Sequence, residues 1–179
     1  MRKLRVGEKA RDFRLPGVDG KYHRLFGENG GHKAVVVVFT CNHCAYAQAY
    51  EERLITLQRE YAPKGVQVLA VNSNDASAYP EDDLERMKLR AAKKQFNFPY
   101  LRDELQLVAK AFGAECTPEV YMLDSTFTLR YNGRIDDNWQ HPEAVTSQDL
   151  RQALDKLLAG KRITKPLSHA IGCSVKWKF

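Results

Sequence analysis

Two thiols stand three residues apart in the stretch Cys41-Asn42-His43-Cys44. A Cys-x-x-C pair can form and break a disulfide, or it can supply half of a four-ligand zinc site. Zinc needs a second pair of Cys or His at compatible spacing. The remaining cysteines, Cys116 and Cys173, stand singly, and no His-x-x-x-His segment follows. The spacing therefore favours redox chemistry, and we expect neither a metal ion nor another cofactor.

The pair lies between the apolar run "KAVVVVFT" and the amphipathic run "YAQAYEERLITLQREY". These patterns predict a buried strand followed by a helix that begins at about Asn42. Cys41 would then lie at the helix N-terminus, where unpaired N–H groups lower a thiol pKa. We therefore expect Cys41 to be the attacking nucleophile. Cys44, one turn into the helix and more buried, would be the resolving cysteine.

The surrounding elements predict an α/β fold. "GVQVLAVNSN" is a second buried strand, so strand, helix and strand form a parallel pair with a right-handed crossover. Further helices are predicted over "EDDLERMKLRAAKKQF", "ELQLVAKAFG" and "SQDLRQALDKLLAG", and two strands over "EVYMLD" and "TLRYNGRID". The turn residues Pro16-Gly17 and Asp19-Gly20 indicate an N-terminal β-hairpin. Together these predict a central mixed β-sheet with helices on both faces.

The length of 179 residues and the 44% hydrophobic content suit one domain. We assign it to residues 1–160 and treat residues 161–179 as a C-terminal tail without a convincing element of its own. The apolar residues Ile171, Val175 and Trp177 indicate that the tail docks on the domain.

Charge and hydropathy narrow the classes of partner. Lys and Arg number 28 against 22 Asp and Glu, but the two signs are mixed along the chain. This pattern is typical of a solvated surface and disfavours nucleic-acid binding. The N-terminus lacks a secretory apolar segment, and no run is long enough to span a membrane. We therefore expect a cytoplasmic protein without membrane association.

The strand, the Cys-x-x-C pair, the helix and the later segment "ECTPEVYMLD" together resemble the thioredoxin-fold superfamily. Members carry a cis-proline at the start of the strand that faces the cysteines, and Thr117-Pro118 matches this element. The resemblance implies a thioredoxin-like fold in which Pro118 packs against the disulfide. It also implies that the Thr117 backbone pairs with an extended substrate segment.

A narrower resemblance covers nearly the whole chain. "VGEKARDFRLPGVDGKYHRL", "CNHC", "CTPEVYMLD", "YNGRIDDN" and "GCSVKW" are similar to bacterial peroxiredoxin-like, AhpC/TSA-related thioredoxin family proteins. The peroxiredoxin pattern Thr-x-x-Cys is not intact, however. Its Thr position would fall on Cys41 if Cys44 were the peroxidatic residue, and on Val38 if Cys41 were.

The leading hypothesis is a thiol-disulfide oxidoreductase. Cys41 attacks a substrate disulfide, Cys44 resolves the mixed disulfide, and Thr117 and Pro118 position the substrate. His43 would tune the thiolate and favour the dithiol, so we expect a more oxidising pair than that of thioredoxin.

The substrates would be protein or small-molecule disulfides, and an upstream dithiol would be the reductant. We expect the protein to be a monomer or a weak homodimer. One alternative is a thiol peroxidase that reduces hydroperoxides. Another is a non-enzymatic redox-sensing or metal-binding thiol protein. Cys116 and Cys173 are additional candidate thiols, although a cysteine in such a position is more often a small buried apolar group.

Overall fold

The computed structural model describes residues 2–28 and 31–178. In these residues the strands are β1 (Arg14–Pro16), β2 (Tyr22–Arg24), β3 (Ala34–Phe39), β4 (Val66–Asn72), β5 (Tyr100–Arg102), β6 (Cys116–Thr117), β7 (Glu119–Asp124), β8 (Leu129–Gly133) and β9 (Cys173–Ser174). The α-helices are α1 (Ala45–Tyr61), α2 (Leu84–Lys94), α3 (Leu107–Phe112) and α4 (Asp149–Leu158). Short 3-10 turns lie at Leu25–Glu28, Ala62–Lys64, Pro80–Asp82 and Pro142–Ala144.

The central sheet has five strands in the order β5-β4-β3-β7-β8. Strands β3, β4 and β5 are parallel, whereas β7 runs antiparallel to both β3 and β8. All six residues of β3 are buried, which explains why its sequence is apolar without alternation. The predicted mixed sheet is confirmed, and β3 at its centre carries the cysteine pair at its carboxyl end.

Helices cover both faces of the sheet, as predicted. One face packs against α1, α2 and α4 through side chains that include Leu54, Leu57, Met87 and Leu150. The other packs against α3 and the N-terminal segment through a second group of apolar residues. Each fully buried Leu contributes about 1.5–3 kcal/mol relative to an exposed one. The two clusters fix β3 firmly between its layers.

The N-terminal hairpin and the docked tail are also confirmed. Strands β1 and β2 pair antiparallel, with Leu15 opposite His23. The tail lies against the domain, where Val175 is 4% exposed and its N–H donates to Glu115 O at 3.0 Å. It contains β9, an element that its sequence did not indicate. The division at residue 160 stays a prediction.

The four α-helices of the described residues begin two or three residues later than predicted, and one strand of the central sheet was not predicted. Helix α2 begins at Leu84 because Pro80–Asp82 forms a separate turn and the Asp83 side chain accepts from Arg86 N. Helix α1 begins at Ala45 rather than about Asn42. Strand β5 was not predicted, because its three residues are too few to show a pattern of alternating hydrophobic and polar side chains. In the described part of the chain, no helix has the length and apolar character that crossing a membrane requires.

Candidate active site

The segment from Cys41 to Cys44 is not helical. Cys44 occupies the N-cap of α1 with extended backbone angles (φ −79°, ψ 123°). Asn42 holds the segment in this shape through its N–H, which donates to Asp82 Oδ1 at 2.7 Å, and its carbonyl, which accepts from Gln48 Nε2 at 2.6 Å. The predicted helix start was therefore wrong. Cys44, not Cys41, lies at the helix N-terminus.

The two sulfurs nevertheless meet. The side chains of Cys41 and Cys44 pack together in one cluster with Ala47, and the two residues are only 3% and 1% exposed. Cys41 Sγ lies 3.4 Å from Thr117 Oγ1, and Cys44 Sγ lies 3.4 Å from the carbonyl oxygen of Thr117. One residue of β6 therefore contacts both thiols, one through its side chain and the other through its backbone.

Thr117 precedes a cis peptide bond to Pro118, as the resemblance implied. The backbone of Thr117 does not face an open groove, however. It pairs antiparallel with Cys173 in β9, so the chain's own tail occupies the edge expected to bind substrate. The apolar residues Val175 and Trp177 hold the tail there by packing on the core.

Asp82 is a fully buried carboxylate beside the pair. Besides the N–H of Asn42, its oxygens accept from Asn72 Nδ2 at 3.0 Å and Asn74 Nδ2 at 2.9 Å, and contact His43 Nδ1 at 2.5 Å. A buried carboxylate is stable only with such partners. This group, the Asp82 cluster, joins the end of β4 to the Cys-x-x-C segment.

His43 lies between the cluster and solvent. Its ring stacks on Tyr79 with centroids 5.0 Å apart and planes 10° apart. Because Nδ1 faces Asp82, the ring is held in one orientation. Ligand atoms of His43, Cys41 and Asp82 all lie within 4.8 Å of one another.

These three side chains are close enough together to be candidate ligands of one metal ion. Both Asp82 oxygens already accept hydrogen bonds, from four nitrogen groups in all. A metal would have to replace some of them. The donor set therefore fits a hydrogen-bond network around Cys41 better than a coordination sphere.

The two thiols have opposite pKa shifts. The hydrogen bond to Cys44, burial and the Asp82 charge raise the pKa of Cys41. The hydrogen bond from Cys41, with further donors from Cys173 and the N–H of Ala47, lowers the pKa of Cys44 to about 4. When protonated, Cys44 donates to the Thr117 carbonyl, but the donors around its sulfur favour the thiolate. The helix N-terminus expected at Cys41 lies at Cys44 instead, because the helix begins three residues later than predicted.

The other two cysteines differ in their relation to the pair. Cys173 packs against the cluster of Cys41, Cys44 and Ala47. Cys116 points elsewhere, with Sγ 3.9 Å from Ala170 O, and burial raises its pKa to about 12. All four cysteines are free thiols in this structure.

Sequence reasoning missed the Asp82 cluster. Asp82 lies in "EDDLER", which is typical of an exposed helix start, and "NSND" reads as an ordinary loop. One signal was present: polar residues end β4, and β4 neighbours the strand that carries the cysteines. The carboxyl ends of parallel strands meet at one edge of a sheet, where sites form.

Comparisons with known proteins found a family and several chains of similar fold. The AhpC/TSA family profile matches residues 6–138. An uncharacterized conserved protein from Geobacillus kaustophilus is 42% identical, with 98% of this chain and 93% of that chain covered and a TM-score of 0.91. A hypothetical protein from Sinorhizobium meliloti is 38% identical, with coverage of 99% and 97% and a TM-score of 0.92.

A candidate thiol:disulfide interchange protein, DsbE, from Chlorobium tepidum shares the fold. It is 22% identical, with 88% of this chain and 98% of that chain covered and a TM-score of 0.64. A search of curated proteins found no significant match.

Proposed function

The chain belongs to the AhpC/TSA family of thioredoxin-fold proteins, and we propose that it is a thiol-disulfide oxidoreductase whose redox pair is Cys41 and Cys44. One observation carries the proposal: the Cys41 and Cys44 side chains pack in one buried cluster, and both sulfurs contact Thr117 next to cis Pro118. Two sulfurs so arranged can close a disulfide with little rearrangement.

Cys44 makes the first attack in this proposal. Its lowered pKa keeps it a thiolate at neutral pH, and the thiolate is the nucleophile in exchange. The Cys44 sulfur forms a bond to one sulfur of the substrate disulfide, and the other substrate sulfur leaves as a thiolate. Cys41 then attacks Cys44 Sγ, so the Cys41–Cys44 disulfide forms and the second substrate thiol is released.

Cys41 must lose its proton in the second step. Asp82 and His43 lie within 4.8 Å of its sulfur and can direct that proton toward solvent, since His43 is the partly exposed member. His43 is thus a positioning residue. Thr117 is a second one, through the contact of its hydroxyl with Cys41.

Substrates and partners follow from this chemistry. The oxidised pair needs a dithiol reductant, and the substrates are protein or small-molecule disulfides in the reducing cytoplasm. A lowered pKa at Cys44 stabilises the reduced form, which supports the expectation of a more oxidising pair than that of thioredoxin. Equilibration in glutathione buffers should give a potential above about −270 mV.

Turnover of a small disulfide and of insulin, with dithiothreitol as the electron source, tests the proposal. Cys44→Ser should reduce turnover to the uncatalysed rate, and Cys41→Ser should remove most of it. Cys116→Ser is the matched control and should keep full turnover, because its sulfur lies away from the pair. Unchanged turnover in Cys44→Ser would contradict the proposal. An inactive wild type with every dithiol donor would favour a non-enzymatic thiol protein.

A second function, thiol peroxidase, is favoured by the low pKa of Cys44 at a helix N-terminus. The thiolate would attack the peroxide O–O bond to give Cys44 sulfenic acid and an alcohol or water. Cys41 would then condense with the sulfenic acid to give the same disulfide and a water molecule. Peroxidase would be the main activity if the protein consumed hydroperoxide faster than it reduced disulfides. Sulfenic acid should then be trapped at Cys44 in Cys41→Ser.

A further inference from the structure

The tail places a short strand on the edge of β6 beside the thiol pair. In β9, Cys173 lies opposite Thr117, and Ser174 lies opposite Cys116. Gly172 comes so close that an added Cβ would lie 2.1 Å from the carbonyl oxygen of Thr117. Only glycine fits that contact without a shift. The tail is therefore shaped to lie against Thr117.

This pairing brings a third sulfur to the site. Cys173 packs on the cluster of Cys41 and Cys44, and it lies opposite Thr117, whose carbonyl oxygen is 3.4 Å from the Cys44 sulfur. Cys41 and Cys44 are buried, whereas Cys173 is partly exposed. Cys44 thus lies between a buried thiol and one that a partner in solution can approach.

We propose that Cys173 is the third redox-active thiol and moves the disulfide from the buried pair to the tail. The inference rests on the proposed function, because it begins from the Cys41–Cys44 disulfide. The Cys173 thiolate attacks Cys44 Sγ, the Cys44–Cys173 bond forms, and the Cys41–Cys44 bond breaks with Cys41 leaving as a thiolate. Cys173 releases one proton and Cys41 takes one up. No net electrons are transferred, so the step needs no further oxidant.

The charges around Cys173 suit this order of events. In the reduced protein, burial, the hydrogen bond to Cys44 and the Cys44 charge raise the pKa of Cys173 to about 11. Cys173 therefore stays protonated and donates to the Cys44 thiolate. Once Cys44 enters a disulfide, its charge is gone, and Lys176, which lowers the pKa of Cys173, acts without that opposition. Oxidation of the pair thereby prepares Cys173 to attack.

The exchange also gives the reductant a sulfur that it can reach. A dithiol protein reaches Cys173 more readily than Cys41 or Cys44, because these two residues are almost fully buried. It can approach Cys173 and attack there, which would return Cys44 to its thiolate form. We therefore expect re-reduction by a protein dithiol to depend on Cys173.

Disulfide mapping tests the proposal. The protein is oxidised with glutathione disulfide, quenched in acid, alkylated, digested and analysed by mass spectrometry. The wild type should give Cys41–Cys44 and Cys44–Cys173 peptides, and Cys41→Ser should give Cys44–Cys173 alone. Cys173→Ser and Cys173→Ala should both lose the second peptide and keep the first. Cys116→Ser, one residue from Thr117, should match the wild type.

The possible failures can be distinguished. In one failure, the Cys41–Cys44 disulfide forms and turnover is normal, but the Cys44–Cys173 disulfide never appears and Cys41→Ser keeps glutathione on Cys44. The third-thiol proposal is then wrong, and the proposed function stands. If Cys41–Cys44 fails to form even in Cys173→Ser, the proposed function itself is wrong. The wild-type map is read together with two different substitutions of Cys173, so the result does not depend on the folding of any one variant.

Discussion

On one side of the thiol pair, Cys41 faces Asp82, a buried carboxylate with its polar partners. On the other side, Cys44 faces the first turn of α1 and the backbone of the tail. A negative charge near Cys41 opposes its ionisation, whereas hydrogen-bond donors around Cys44 favour it. Two cysteines of one motif therefore differ through their mutual contact and through contacts with residues distant in sequence. The motif alone does not tell which sulfur is the nucleophile.

The largest effect is expected on the Cys41 side, from Asp82→Asn. The amide would turn donor hydrogens toward neighbours that are themselves donors, at a fully buried position. We expect a loss of about 3 kcal/mol in the free energy of unfolding, measured with urea. Glu81→Gln changes an exposed acid one residue away and should cost less than about 0.5 kcal/mol. Equal stabilities of the two variants would show that Asp82 does not organise this side.

Gly172→Ala perturbs the Cys44 side. The new Cβ would clash with the Thr117 carbonyl, so β9 must move away from β6. We expect a cost of about 1–3 kcal/mol and faster alkylation of Cys44 by iodoacetamide, because the tail no longer covers it. Ser174→Ala, at an exposed position of the same strand, is the control and should change neither quantity. Unchanged Cys44 alkylation in Gly172→Ala would mean that the tail does not shield the pair.

Cys41→Ser tests how the two sides are coupled. In the wild type, ultraviolet absorbance should report a thiolate that persists from neutral pH down to about pH 4, where Cys44 takes up its proton. The hydrogen bond from Cys41 is the main cause of this low pKa. Replacing the Cys41 thiol with a hydroxyl should weaken this hydrogen bond and raise the midpoint of the Cys44 titration by about one pH unit, equivalent to about 1.4 kcal/mol. A midpoint near 8.5 in the wild type would refute the assignment of the thiolate to Cys44.

The smallest effect is expected from Thr117→Val. The substitution removes the hydroxyl that contacts Cys41 but keeps the carbonyl that contacts Cys44. We expect a loss of about 1 kcal/mol in stability and no change in the thiolate titration of Cys44. A shifted Cys44 titration in this variant would show that the contact of Thr117 with Cys41 also affects Cys44.

The central part of the fold could be predicted from sequence because its signals are local. The apolar runs of β3 and β4 and the helical spacing of Tyr50, Leu54, Leu57 and Tyr61 in α1 report burial directly. Strand β9 could not be predicted in this way. It has only two residues, and its partner lies more than 50 residues earlier.

The site was only partly predictable for the same reason. The cysteine pair and Thr117-Pro118 have recognisable patterns, and the structure brings them together. The start of α1 depends instead on the contact of Asn42 with Asp82, 40 residues later. That contact shifts the helix start by three residues, so that the helix N-terminus lies at Cys44. No local pattern records it.

A strand that is covalently attached to the protein has an effective concentration in the millimolar range at its own binding edge. Any polypeptide that needs the Thr117 backbone must compete with β9, so loosely binding chains would stay outside. A small disulfide that does not use this edge meets no such competitor. The two-residue pairing of the tail thus makes the site selective, because compact substrates reach the thiol pair more readily than extended ones.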